Sequence, residues 1–176
     1  MNSNLENLEF IDYIDHSGEL PIELEGKIGV YAIFNQEKIL QFIGYSRDVY
    51  LSCKQHLVRQ PHKCYWLKVH TIERPDRKIL SEIENSWIAQ NGSLPPGNGE
   101  HKQIWTNAIN VQELMTDTEK ENYHNPLIDD LAKTKVLKNV SRRVESEILE
   151  LLTARGLKTQ IRFNPKLKEE GLLDLK

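Results

Sequence analysis

The sequence predicts an α+β fold: a small three-stranded antiparallel sheet flanked by helices, in the order ββαβα, followed by a mainly helical C-terminal extension. Three observations carry this. Two short β-rich runs, residues 28–34 and 39–44, are joined by polar Asn35-Gln36-Glu37-Lys38, a connector short enough for a hairpin. Two helix-length stretches follow, with an aromatic and β-branched run between them. Beyond residue 100 the texture turns helical and charged.

The elements are justified in chain order. Residues 1–26 hold seven acidic side chains and no lysine or arginine, an acidic lead-in expected to pack on the core. The first strand is placed at 28–34 and the second at 39–44. Asp48 is a suitable N-cap for a helix over 49–59, because its carboxylate can accept the first free backbone N–H groups. Gln60-Pro61-His62 closes that helix. Residues 64–72, CYWLKVHTI, read as the third strand. Pro75-Asp76 opens a second helix to about Gln90, stopped by Asn91-Gly92 and by the turn-rich residues 94–99. Thr116-Asp117-Thr118-Glu119 reads as a capping box. A longer helix is expected over 141–155, with Val140, Val144, Ile148, Leu151 and Leu152 on one face and Gly156 as its stop. The expected division is therefore a lead-in (1–26), a central domain (27–100) and an extension (101–176).

Composition narrows the function. The 176 residues are 39% hydrophobic and 28% charged, a globular balance, and no apolar run approaches the ~20 residues of a membrane span. The acidic start lacks the basic and apolar regions of a secretory signal and the arginines of a transit peptide. Cys53 and Cys64 have no metal-ligand spacing and apolar flanks, so buried free thiols in a reducing cytoplasm are expected. Net charge is −3, yet residues 44–78 carry eight basic side chains against three acidic ones. Such a segment suits a bound polyanion or, equally, a solvated mixed-charge surface.

The hairpin holds Gly29-Val30-Tyr31 on one strand and Phe42-Ile43-Gly44 on the other. In the second helix Ile79, Leu80, Ile83, Trp87 and Ile88 form an apolar stripe, and Glu84 sits within it. An acid there is costly unless it is paired or binds a metal; a stripe-edge glutamate reaching solvent or a lysine is the structural alternative. With Glu84-Asn85-Ser86-Trp87-Ile88 and His56, these motifs make residues 27–98 resemble the GIY-YIG nuclease superfamily. The resemblance implies metal-dependent phosphodiester cleavage of DNA. Tyr31, His56 and Glu84 would be catalytic, Glu84 would ligate Mg2+ or Mn2+, and Gly29, Gly44 and Asn98 would complete the motif. Tyr31 could serve as a base only if its pKa were lowered from about 10. Two positions depart: Phe42 stands for the second tyrosine, and Ser52 for the helix arginine. Arg47, Lys54 and Arg59 are candidate nucleic-acid contacts, though none shares the His56 face at the height of Ser52. The pattern, with residues 167–174, looks like a branch seen in cyanobacteria; related modules precede monothiol glutaredoxins in plant plastids. No Cys-Gly-Phe-Ser is present here.

The expected function is accordingly a DNA endonuclease, a hydrolase with a divergent active site. The alternative is a degenerate module that binds DNA or a protein, the latter through the C-terminal helix. Each aromatic or histidine also has a structural reading as a packed strand or helix residue, and Asn98 as an ordinary turn residue.

Overall fold

The computed structural model describes residues 4–176, which divide into two compact units: residues 4–106 with Gly156–Thr159, and Asn107–Arg155 with Gln160–Lys176. The fold is α+β.

In the first unit, β2 (Ile28–Phe34) and β3 (Leu40–Ser46) form the expected hairpin. Asn35 Oδ1 accepts from the N–H groups of Glu37 and Ile39, and Lys38 takes a left-handed φ of 62° to close the turn. Helix α1 (Val49–Arg59) starts at Asp48, whose carboxylate accepts from Leu51 N. Strand β4 (Trp66–Ile72) pairs antiparallel with β2 along its whole length. Helix α2 (Arg77–Asn91) is capped by Asp76 and ends at Gly92, where φ of 83° suits a residue without Cβ. A short helix, α3 (Lys102–Thr106), completes the elements around the site.

The sheet corrects the expectation of three strands. It has four, in the order β1-β4-β2-β3, because Ile11–Asp12 (β1) pairs with Leu67 and Trp66. Two residues, one of them acidic, are too short to show a strand period; what makes them a strand is the unpaired edge of β4. Every pairing in this sheet is antiparallel.

Alternation along β2 divides the core. Val30, Ala32 and Phe34 face α2 and cluster with Leu5, Leu40, Ile43, Leu80 and Trp87. Ile83 and Ile88 pack against that cluster, whereas Ile79, expected on the same stripe, is 43% exposed. Tyr31 and Ile33, one residue out of phase, look toward the opposite face of the sheet, where α1 buries Cys53, His56 and Leu57.

In the second unit the helix expected over 141–155 is α5 (Asp130–Ala154). Its first eleven residues bury only Leu137 and Val140, too few to reveal a helix start; an Asp129 cap to Ala132 N starts it earlier. Helix α4 (Asp117–Tyr123) begins with the capping box, Thr116 Oγ1 accepting from Glu119 N and Glu119 accepting from Thr116 N. The extension also contains a two-stranded sheet, β5 (Ile109–Asn110) with β6 (Leu172–Leu173), next to the short helix α6 (Pro165–Lys168).

Candidate functional site

A cleft of about 380 Å³ opens on the α1 side of the sheet in the first unit. Its walls come from β2, β3, α1, α2, the turn at Pro96–Asn98 and α3. Tyr31 and His56 lie at its base, 3% and 4% exposed, with Tyr31 Oη 2.8 Å from His56 Nε2. The phenol reaches the helix because Gly44 stands beside it: a Cβ at that position would sit 2.8 Å from Tyr31 Oη and 2.7 Å from Phe42 Cε1. Phe42 fills the neighbouring space, its ring stacked on Trp105 at 5.3 Å and 4.5 Å from the His56 ring.

Asn98 pins the rim. Its Nδ2 donates to Ile43 O at 2.7 Å and its Oδ1 accepts from Ile43 N at 2.8 Å, so one side chain satisfies both polar groups of a residue on edge strand β3. The preceding Gly97 lets this turn lie against the strand, since a Cβ would meet Gln41 O at 2.7 Å and Trp105 Cδ1 at 2.9 Å. Ser52 does not reach across as a charged group would. Its hydroxyl donates to Ser46 Oγ at 2.7 Å, and it also lowers the Tyr31 pKa by hydrogen bonding.

Electrostatics distinguish the groups. Burial, followed by the field of Cys53, drives the Tyr31 phenol well above its usual range, against smaller opposing effects of Ser52 and Arg59. Burial also draws His56 down to about 3, helped by Arg59 and opposed by the Trp105 backbone. Both are therefore neutral at physiological pH, and the condition attached to Tyr31, a lowered pKa, is not met. Glu84, half-buried, has its pKa raised by burial and lowered in part by Lys102. Among the described residues no group of three His, Cys, Asp or Glu side chains could hold a metal ion.

The basic candidates separate. Arg59 lines the cleft, correcting the expectation from face and height: it lies seven residues after Ser52, nearly two turns along the same side of α1, and its Nη1 donates to Trp105 O at 3.2 Å. Arg47 is exposed and lines a different surface pocket with Pro75, Asp76 and Arg77; Lys54 lines neither. Gly29 lies in β2 against His70 and Thr71, with no room for a Cβ. Lys102 and Trp105 belong to the site and escaped the sequence reading. They sit on a five-residue helix too short to display a periodic face.

The two thiols lie away from solvent. Cys53 is 1% and Cys64 0% exposed; Cys64 Sγ contacts His56 O at 3.5 Å, and the Tyr13 hydroxyl donates to Cys53 O. Burial pushes the Cys53 thiol far up, so no nucleophilic thiolate forms there.

No profile of a known protein family matches the chain. A curated protein, the bifunctional monothiol glutaredoxin-S16, chloroplastic, of Arabidopsis thaliana, is 38% identical over 74 residues, or 40% of this chain. The chain is similar to a monothiol glutaredoxin. It spans about a quarter of that relative's length, 25%. This finding overturns the GIY-YIG nuclease reading drawn from the hairpin motifs: the relative's name is that of a thiol protein. The endonuclease, hydrolase and DNA-binding functions, and the alternative of a DNA-binding or protein-interaction module, are withdrawn with it. The motif glycines on the hairpin have a steric explanation here, since neither Gly29 nor Gly44 has room for a Cβ. Nor does the relative's chloroplastic label match the cytoplasmic expectation. No helix among the described residues is long and apolar enough to cross a membrane.

Proposed function

We propose that this chain works in thiol–disulfide redox chemistry as a recognition module, holding a small solute of that chemistry in the cleft while its own cysteines stay structural. Similarity to the glutaredoxin-named relative supports the setting. The observation that carries the division of labour is the contrast between the closed Cys53 and Cys64 and the open, polar cleft 380 Å³ in volume. Thiol exchange needs an accessible thiolate, and neither cysteine offers one. A pocket with a few convergent polar groups over an apolar base is the usual form of a small-molecule site.

Thiol titration with an aromatic disulfide reagent tests this directly. Both thiols should stay unreacted in the native chain and react fully in denaturant, and the chain alone should not reduce a glutathione mixed disulfide. Reduction by the chain alone, lost in Cys53→Ser or Cys64→Ser, would refute the reading.

A further inference from the structure

A second pocket of the first unit, about 500 Å³ in volume, lies between the C-terminal end of β3 and the start of α2. It shares only Tyr45 with the cleft described above, and what it holds does not depend on the reading of that cleft. Leu80, 4% exposed, gives it an apolar base, and Tyr45 packs against the core cluster to which Leu80 belongs. Pro75 adds a second ring to the lining. Arg47 and Arg77 line the same volume, and among the described residues neither side chain makes a hydrogen bond or an ion pair. They differ in this from Arg59, whose Nη1 is held by Trp105 O. Asp76 is the one acid among the described residues of the lining, and its carboxylate accepts from Ile79 N at 3.1 Å. Two guanidinium groups and one carboxylate leave a single net positive charge. We propose that this pocket binds a small aromatic monocarboxylate, its ring against Tyr45, Pro75 and Leu80 and its carboxylate between Arg47 and Arg77.

Each arginine is carried on pinned backbone. Arg47 lies between Ser46 and Asp48, where the Ser46 hydroxyl donates to Asp48 O at 2.9 Å and accepts from Asp48 N at 3.0 Å. Arg77 is the first residue of α2, directly after the Asp76 cap. Only their side chains need ordering, which lowers the cost of binding. A planar guanidinium meets a carboxylate through two parallel hydrogen bonds, a geometry that an ammonium does not offer. The net charge chooses among anions. One carboxylate neutralises the site, whereas a phosphate monoester brings about 1.5–2 charges and sets the excess against Asp76. The rings choose the body of the ligand: a flat aromatic group can stack on Tyr45 and against a guanidinium, and an alkyl chain has no such face. A volume of about 500 Å³ lies within the range of small-molecule sites.

NMR titration of the isotope-labelled full chain, read from its amide shifts, tests the proposal with benzoate and phenylacetate as probes. Acetate, which lacks the ring, benzyl alcohol, which lacks the charge, and phenyl phosphate, which carries more of it, are the comparisons. Both aromatic carboxylates should saturate with a dissociation constant of about 1 mM, the scale for a ligand of about ten heavy atoms. The shifts should concentrate in residues 45–48 and 76–80. Acetate and benzyl alcohol should bind about tenfold more weakly, or less. Arg47→Gln and Arg77→Gln, each checked for unchanged thermal melting, should weaken benzoate about fivefold or more. The probe comparisons need no variant and stand without them. The proposal is overturned by no saturation up to about 20 mM, by shifts centred elsewhere, by binding indifferent to both substitutions, or by phenyl phosphate binding more tightly than benzoate.

Discussion

Replacing Asn98 by alanine isolates the strap that holds the cleft rim. The side-chain amide makes two hydrogen bonds to one residue, Ile43, at 2.8 and 2.7 Å. Each such bond is worth about 0.5–1.5 kcal/mol net, giving about 1–3 kcal/mol for the pair. Asn98 is only partly buried, so water can reach the vacated groups, and the lower half of that range, about 1–2 kcal/mol, is expected. For a unit of this size that corresponds to a fall of roughly 5–15 °C in its melting transition. Urea denaturation followed by tryptophan fluorescence measures the total. Hydrogen exchange at the Ile43 amide reads the strap alone, and its protection should fall while amides in the centre of β2 keep theirs. Asn98→Asp sharpens the test. The substitution keeps an acceptor for Ile43 N–H but turns an acceptor toward Ile43 O, which should raise the new carboxyl's pKa. The folded state then binds more protons than the unfolded one above the ordinary aspartate value of about 3.9. The variant should therefore be worse than alanine at neutral pH and recover as pH falls toward that value. A cost below about 0.5 kcal/mol for Asn98→Ala, with Ile43 exchange unchanged, would refute the strap.

Other expectations concern separate contacts. Gly44→Ala would place a methyl 2.7 Å from Phe42 Cε1 and 2.8 Å from Tyr31 Oη, so it should cost about 2 kcal/mol or more in chemical denaturation. His56, drawn down to about 3 by burial, should show no imidazole titration by NMR between pH 8 and 5. Because its folded pKa lies below the unfolded value of about 6.5, the unfolded state takes up the proton first; stability should fall as pH drops from there, by on the order of 4 kcal/mol at pH 3. In the second unit, Arg143 donates to both oxygens of Glu119, to Glu147 and to Leu114 O, while Glu119 also closes the Thr116 capping box. Arg143→Lys should lose the two-point geometry and about 1 kcal/mol, discounted for partial exposure, with faster exchange concentrated in residues 116–124.

Much of the first unit could be read from sequence because local signals and tertiary context agree there. Helix α1 matches its expected bounds because Asp48 caps it and the Gln60-Pro61 break ends it. Strand β2 matches because it alternates between two buried faces. Glu84 was visible as an acid interrupting an apolar stripe, and the structure leaves it half-buried in the cleft. The missing pieces depend on distant partners. Strand β1 exists only through β4, and Asn98 looked like a turn residue until strand β3 lay beside it. Lys102 and Trp105 had no pattern to belong to. The functional family was misread for a related reason: glycine and tyrosine at paired hairpin positions answer to packing as well as to chemistry, and residue types alone do not separate the two.

Burial decides which of the unit's chemically versatile groups can act. The Tyr31 phenol, the His56 imidazole and the Cys53 thiol are the reactive side chains on the α1 face, and burial leads the causes of every shift: upward for the two acids, downward for the base. In each case the neutral form is favoured, so none of the three is primed for proton transfer or nucleophilic attack at neutral pH. The ionisable side chains that line the cleft beside them are Arg59, Glu84 and Lys102, from three different helices, with Arg59 held to the Trp105 carbonyl. A neutral hydrogen-bonding base under a charged rim is suited to holding a polar molecule by its ends. On the proposed reading, binding measurements with substitutions at Glu84 and Lys102 therefore test this cleft directly.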